Sequence, residues 1–168
     1  MRFVGFDVQP QGAGGVAPYS VALGADGNLW FTGNKSNAVA KLTPEGGVRE
    51  YPIPTLQCGV TMLTATEKGL YFTESQAHKI GFVSYAGIIT EYELADGSAP
   101  YGIAVDARQT VWFTCMSGNQ IGRIAGSGVV YYDLPTPASD PHSQREAARD
   151  RRLGGRLGRL YGMGGEQN

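Results

Sequence analysis

Cysteine is scarce in this 168-residue chain, with only Cys58 and Cys115 present. So low a count excludes a disulfide-stapled scaffold, and the two thiols read as reduced and structurally tolerated. Histidine is equally rare, at His78 and His142. Neither a C-x-x-C nor an H-E-x-x-H spacing can be built from them. No apolar run reaches the roughly 18 residues of a membrane-spanning helix, so no membrane partner is expected. The opening "MRFVGFDVQPQGAGG" lacks the charged-then-apolar layout of a secretory signal, which makes a cytoplasmic location the expectation. The stretch "GGRLGRLYGMGG" (154–165) is glycine-rich but fits neither a Walker loop nor the dinucleotide fingerprint.

What is abundant is glycine, at 25 residues, with 9 prolines, a composition that favours turns and short strands over long helices. The formal charge of −1 hides an asymmetry. Residues 1–142 carry 8 Lys and Arg against 12 Asp and Glu, whereas residues 143–168 carry 6 Arg against 3 acids. Such a switch marks a boundary. The basic end has two readings: a patch for nucleic acid or anionic lipid, or a solvated, disordered tail. Its composition fits the second, so no nucleic-acid partner is expected. Within it, Gln144–Leu153 could form a short helix that Gly154 and Gly155 stop.

Before that boundary the chain repeats itself. "NLWFT" (28–32) returns as "GLYFT" (69–73) and "TVWFT" (110–114), which sets Trp30, Tyr71 and Trp112 at steps of 41 residues. "NAVAKLT", "HKIGFVS" and "NQIGRIA" keep the same step, and "REYPIP" is echoed by "TEYELA" and "VYYDLP". The copies lie near 17–57, 58–98 and 99–140. In the first copy, Ser20–Leu23, Asn28–Thr32, Ala38–Thr43 and Val48–Ile53 are rich in β-branched and aromatic residues and read as strands. "GADGN" and "TPEGG" between them read as hairpin turns. Four strands in roughly 40 residues is the period of a β-propeller blade. A β-sandwich, the alternative, does not require a fixed step. The expectation is an all-β partial propeller over 1–142, about three four-stranded antiparallel blades, followed by a non-propeller tail over 143–168.

Strand alternation then locates a face. Where the first strand of each blade starts, the second ends, so two phases of the repeat converge on one mouth of the central channel. One phase holds Tyr19, Val60, Tyr101 and His142; the other holds Gly33, Glu74 and Cys115. His78 stands where the sibling copies have Asn37 and Asn119. Asparagine there supports local backbone bonding, so His78 reads as its structural substitute.

The combination of "APYGIAVD", "VWFT", "GNQIGRI" and "YYDLPTPASDPH", with "GLYFTESQAHKIG" before it, resembles the virginiamycin B lyase (streptogramin B lyase) family over about residues 17–142. The resemblance implies a seven-bladed propeller. It implies inactivation of type B streptogramin antibiotics by magnesium-dependent elimination at the ester of the cyclic depsipeptide. That chemistry needs a base for the proton alpha to a carbonyl and a cation, here Mg2+, to polarise the ester. The family's histidine base lies in a P-H dipeptide at the start of a first strand, in the late blades. His142 has that dipeptide and phase but opens only a fourth blade. It is therefore either the base or a solvated histidine at a boundary. Tyr19 fits the family's P-Y position at the substrate mouth, and Tyr101 shares its phase. Each is either substrate-lining or ordinary aromatic packing at a blade junction. Glu74 fills the W-F-T-E phase as a generic repeat residue.

The composition changes inside a repeat, just after His142, which suggests a reading-frame shift or a truncation there. Two functions follow. One is a streptogramin lyase that has lost the late blades carrying its chemistry and is therefore inactive. The other is a non-catalytic propeller fragment, a remnant or an interaction module. A lactonase-like propeller is a third reading, but it would need a ring of metal-ligand acids and asparagines that these repeats lack. Blades bury apolar sheet faces against their neighbours, so exposed blade faces would favour self-association.

Overall fold

A computed structural model describes residues 15–126 and 128–135. Every regular element among them is a β-strand, and the strands form three four-stranded sheets. Blade 1 contains β1 (Pro18–Leu23), β2 (Leu29–Gly33), β3 (Ala38–Leu42) and β4 (Val48–Pro52). Blade 2 contains β5 (Val60–Ala65), β6 (Gly69–Glu74), β7 (Lys79–Ser84) and β8 (Ile89–Glu93). Blade 3 contains β9 (Pro100–Val105), β10 (Val111–Cys115), β11 (Gln120–Ala125) and β12 (Gly128–Asp133). Each blade pairs its strands antiparallel in chain order. The first strands adjoin, with β5 beside both β1 and β9. The expected partial propeller is therefore the observed fold.

Local chemistry explains the turns. In "GADGN", Gly27 takes a φ of 78°, and the Gly24 N–H donates to the Asn28 carbonyl across the hairpin. In "TPEGG", Gly46 takes a φ of 90° and Thr43 closes the turn the same way. These left-handed positions carry no Cβ penalty for glycine.

Alternation along each strand gives every blade two faces. One face, which we call leading, carries Phe31, Phe72 and Phe113; the other, trailing, carries Trp30, Tyr71 and Trp112. The I-G dipeptide of the third strand serves the leading face. A Cβ on Gly81 would lie 2.0 Å from the Phe72 ring, and one on Gly122 would lie 2.3 Å from that of Phe113. These pairs are directly cross-strand, so the glycine makes the seat for the ring.

The core lies between blades. Trp30, Val39 and Tyr51 of blade 1 form one cluster with Leu63, Leu70, Phe72 and Val83 of blade 2. Ile80 and Tyr71 of blade 2 meet Phe113, Ile103, Ile124 and Val129 of blade 3. The leading face of blade 1 holds a smaller cluster of Phe31 and Ala40 under Val16.

Candidate functional site

Each first strand carries an irregularity where it starts, between Pro18 and Val21, between Val60 and Leu63, and opposite Phe113 to Cys115. A bulge interrupts the ladder and re-aims the side chains beside it. The threonine of each "FT" dipeptide fills the missing bond. Its Oγ1 accepts the N–H of Ser20 at 3.0 Å in blade 1, of Met62 at 3.1 Å in blade 2 and of Gly102 at 2.9 Å in blade 3. The same hydroxyl then donates to the next blade: Thr32 to the Thr61 carbonyl at 2.6 Å, and Thr73 to that of Tyr101 at 3.0 Å.

The two repeat phases meet as expected. Pro18 pairs with Gly33, Val60 with Glu74, and Pro100 with Cys115, so the phases share one end of the inner strands. Tyr19 and Tyr101 come together there. Their hydroxyls are hydrogen-bonded, and their rings meet edge to face with centroids 6.4 Å apart. Tyr19 is 52% exposed, whereas Val60, the counterpart in blade 2, is fully buried. The pair thus joins the first and third blades across the middle one. The hydrogen bond with Tyr19 raises the Tyr101 pKa above the ordinary phenol range, so Tyr101 stays neutral at physiological pH. His142 lies outside the described residues, as do the short helix expected over Gln144–Leu153 and the rest of 143–168.

The other phase does not face the mouth with its side chains. Glu74 and Cys115 are buried between blades. The Glu74 carboxylate makes no well-formed hydrogen bond among the described residues, and its polar neighbours are the Glu91 carboxyl and the Cys58 thiol. Burial first, and then the nearby Glu91 carboxylate, push the Glu74 pKa up to about 8. The neighbouring cation is committed elsewhere, because Lys79 Nζ pairs with Glu93 at 2.9 Å and donates to Thr55 Oγ1 at 3.0 Å. Burial and the Glu74 charge likewise push the Cys58 thiol up to about 12. It is no thiolate nucleophile at neutral pH. Its N–H and S–H both reach Asn37 Oδ1, at 3.1 and 3.3 Å.

His78 does stand in for asparagine. It takes a φ of 54°, against 52° at Asn37 and 49° at Asn119. Its Nδ1 accepts the Ala99 N–H at 3.1 Å, as Asn37 Oδ1 accepts that of Cys58. With that ring nitrogen engaged in holding a connector, His78 is a structural residue. Among the described residues no group of three or more His, Cys, Asp or Glu side chains can hold a metal ion. No magnesium ligand is assigned among the described residues. The threonine bridge and the enclosed Glu74 were not anticipated from sequence. A polar residue recurring mid-strand at Thr32, Thr73 and Thr114 was the available signal for the bridge.

Three four-stranded blades of this kind, with Tyr19 and Tyr101 at the start of their inner strands, define a β-propeller. The family model for the virginiamycin B lyase family matches residues 4–153, and the chain belongs to that family. It is 36% identical over 95 residues to a virginiamycin B lyase of Nocardia farcinica, covering 56% of this chain and 34% of that protein. The crystal structure of selenomethionine-substituted virginiamycin B lyase from Staphylococcus aureus superposes with a TM-score of 0.67 at 40% identity. That match covers 73% of this chain and 43% of the other. A catalytically inactive variant of the Staphylococcus aureus enzyme, crystallised with quinupristin, gives a TM-score of 0.69 at 35% identity, again over 73% and 43%. The chain thus spans well under half the length of these relatives.

Proposed function

We propose that the described blades are a recognition portion of a streptogramin lyase, binding a type B streptogramin at the mouth marked by Tyr19 and Tyr101. The observation that carries this reading is the tyrosine pair. Two phenol hydroxyls and two ring edges stand at the one mouth where both repeat phases converge. A cyclic depsipeptide offers carbonyls and aromatic side chains, which such a pair can engage by hydrogen bonding and edge-to-face contact. The quinupristin complex of the Staphylococcus aureus relative supports the choice of ligand class.

Ring opening by elimination needs a base at the alpha proton. The described mouth offers phenols, and the histidine beside it is engaged with Ala99. We therefore assign binding without turnover to the 168-residue chain, with His142 as the residue to test for residual chemistry. Two free, buried thiols support a reducing compartment such as the cytoplasm.

The test is to titrate quinupristin into the full chain by calorimetry and, separately, to incubate the two with Mg2+ and follow ring opening by mass. Binding that weakens about tenfold in Tyr19→Phe/Tyr101→Phe, with no change in ligand mass, is expected. No binding would remove the assignment. Turnover lost in His142→Ala would replace binding with catalysis.

A further inference from the structure

The two junctions between the blades differ at the end away from the tyrosine mouth. At the first, Tyr85, from the turn between β7 and β8, fills the space between the β1–β2 and β5–β6 turns. Its ring tilts against Trp30 with centroids 6.1 Å apart. Its hydroxyl accepts the Ala25 N–H at 2.8 Å and donates to the Thr66 carbonyl. At the second junction Gly126 stands one repeat step on from Tyr85. A Cβ there would meet nothing within 4 Å. The one-residue deletion in the third copy is the cause. Val83 pairs with Ile89 around a turn over 84–88, whereas Ala125 pairs with Gly128 and leaves only 126 and 127 to turn the chain.

The space left is a pocket of about 330 Å3 lined by Thr66, Glu67, Lys68, Tyr71, Phe82 and Gln109. That size lies at the small end of small-molecule sites. Its floor is aromatic. Phe82 stands where the sibling blades carry Lys41 and Arg123, whose cations lie over Trp30 and Trp112. In blade 2 the Phe82 ring instead tilts against Tyr71, with centroids 4.8 Å apart. Gly69 permits this, since a Cβ there would lie 2.7 Å from the Phe82 ring and 2.2 Å from the Val83 carbonyl. Gln109 takes over half of the missing hydroxyl's part. Its Oε1 accepts the Glu67 N–H at 3.1 Å, as the Tyr85 hydroxyl accepts that of Ala25. The amide NH2 of Gln109 has no acceptor among the described residues and stands at the pocket as a donor.

We propose that this pocket binds a small monocyclic phenol. Its ring lies on Tyr71 and Phe82 as the Tyr85 ring lies on Trp30, and its oxygen accepts from the Gln109 amide. The first junction shows that a phenol fits between such turns, with its ring on an aromatic floor and its oxygen at the turn backbone. Tilted ring contacts favour an aromatic ligand over an aliphatic one. The donor favours a ligand with an oxygen, because a purely apolar ring would leave it unpaired. The pocket lies at the turns that follow the inner strands, whereas Tyr19 and Tyr101 stand where those strands begin. The site is therefore separate from the mouth assigned to streptogramin.

The probe is p-cresol, the tyrosine side chain as a free molecule, titrated into the full chain and followed by NMR. Saturable binding with a Kd of about 1 mM or tighter is expected, with resonances of residues 66–68 and 109 moving. Toluene, which lacks the oxygen, should bind about tenfold more weakly. Gln109→Gly removes the amide and suits the φ of 63° at that position, so it should weaken p-cresol about tenfold with the circular dichroism unchanged. Tyr85→Gly should open the matching space at the first junction and take up a second molecule of p-cresol. Tyr19→Phe/Tyr101→Phe should leave p-cresol binding as it is, which keeps this test apart from that of the mouth. Absence of saturable binding overturns the proposal, as do resonance changes confined to the mouth or equal affinity for toluene. Undiminished binding by Gln109→Gly, or a folded Tyr85→Gly that gains no second site, overturns it too. The Gln109→Gly measurement stands whether or not Tyr85→Gly folds.

Discussion

Thr32 and Thr114 occupy the same place in the first and third blades, and both cap a bulged inner strand through Oγ1. Thr32 also bonds the next blade and is buried, whereas Thr114 faces outward. Their neighbours differ in the same sense. Trp30 is fully buried, stacked on Tyr51 at 5.4 Å and tilted against Tyr85 of blade 2. Trp112 keeps the equivalent partners within its own blade, Arg123 over its ring and Tyr132 beside it, but is only half-buried. A repeat thus fixes what each blade is able to do within its own sheet. Burial, and the energy that comes with it, is decided by the adjacent blade.

That contrast can be broken most strongly at the tryptophans. Trp30→Ala should cost about 3–5 kcal/mol in urea unfolding, the usual range for deleting a fully buried large aromatic. Trp112→Ala, measured at concentrations too low for association, should cost roughly 1–2 kcal/mol. Equal losses would mean that the two faces are equally covered.

Next in size is the carboxyl enclosed at the first junction. The ordinary glutamate value is 4.5, and Glu74 in the folded chain titrates near 8 because burial penalises its charged form. The folded state holds the extra proton between those values. Stability is therefore full below about pH 4.5 and is lost as pH rises through 8. One pKa unit corresponds to about 1.4 kcal/mol, so a loss of roughly 2–4 kcal/mol across the window is expected, visible as a falling denaturation midpoint. Glu74→Gln should flatten that slope. A wild-type profile already flat from pH 5 to 9 would place the carboxyl in water. The counterpart in blade 1 is Gly33, where a Cβ would lie 2.8 Å from Val16, so no such group fits there.

The threonines come third. Thr32→Val leaves the Ser20 N–H and Thr61 carbonyl without their partner inside a buried junction and should cost about 1–3 kcal/mol. Thr114→Val should stay within about 0.5 kcal/mol, as exposed sites do. Smallest is the His78 exchange. His78→Asn restores the sibling residue at a left-handed φ and should be neutral to within about 0.5 kcal/mol, whereas His78→Ala should lose about 1 kcal/mol with the bond to Ala99. Equal cost for both variants would show that the ring, rather than its acceptor nitrogen, is what the site needs.

Much of the fold was legible because a blade is a local object. The strands expected at Ser20–Leu23, Asn28–Thr32, Ala38–Thr43 and Val48–Ile53 match the observed β1 to β4 to within two residues at either end. Their alternation and turn chemistry lie within a few residues of one another. The mouth was legible for the same reason, since strand order alone puts Tyr19 and Gly33 at one end. What strand order could not supply was where the side chains go. Glu74 shares that end and yet sits inside a junction, because residues on β6 alternate and Glu74 falls on the side of Phe72. The contact between Tyr19 and Tyr101, 82 residues apart, was not legible either, as it depends on the angle between blades.

The 41-residue step by itself determined the blade, its turns and the end at which the two repeat phases meet, because strand pairing and left-handed turns are short-range requirements. Only the tertiary structure decided which copy of a repeated residue is buried. Leu29 and Leu70 stand at the same repeat position and differ only in whether another blade lies against them. Desolvation is a property of that neighbour, and it is also what sets the charge of Glu74.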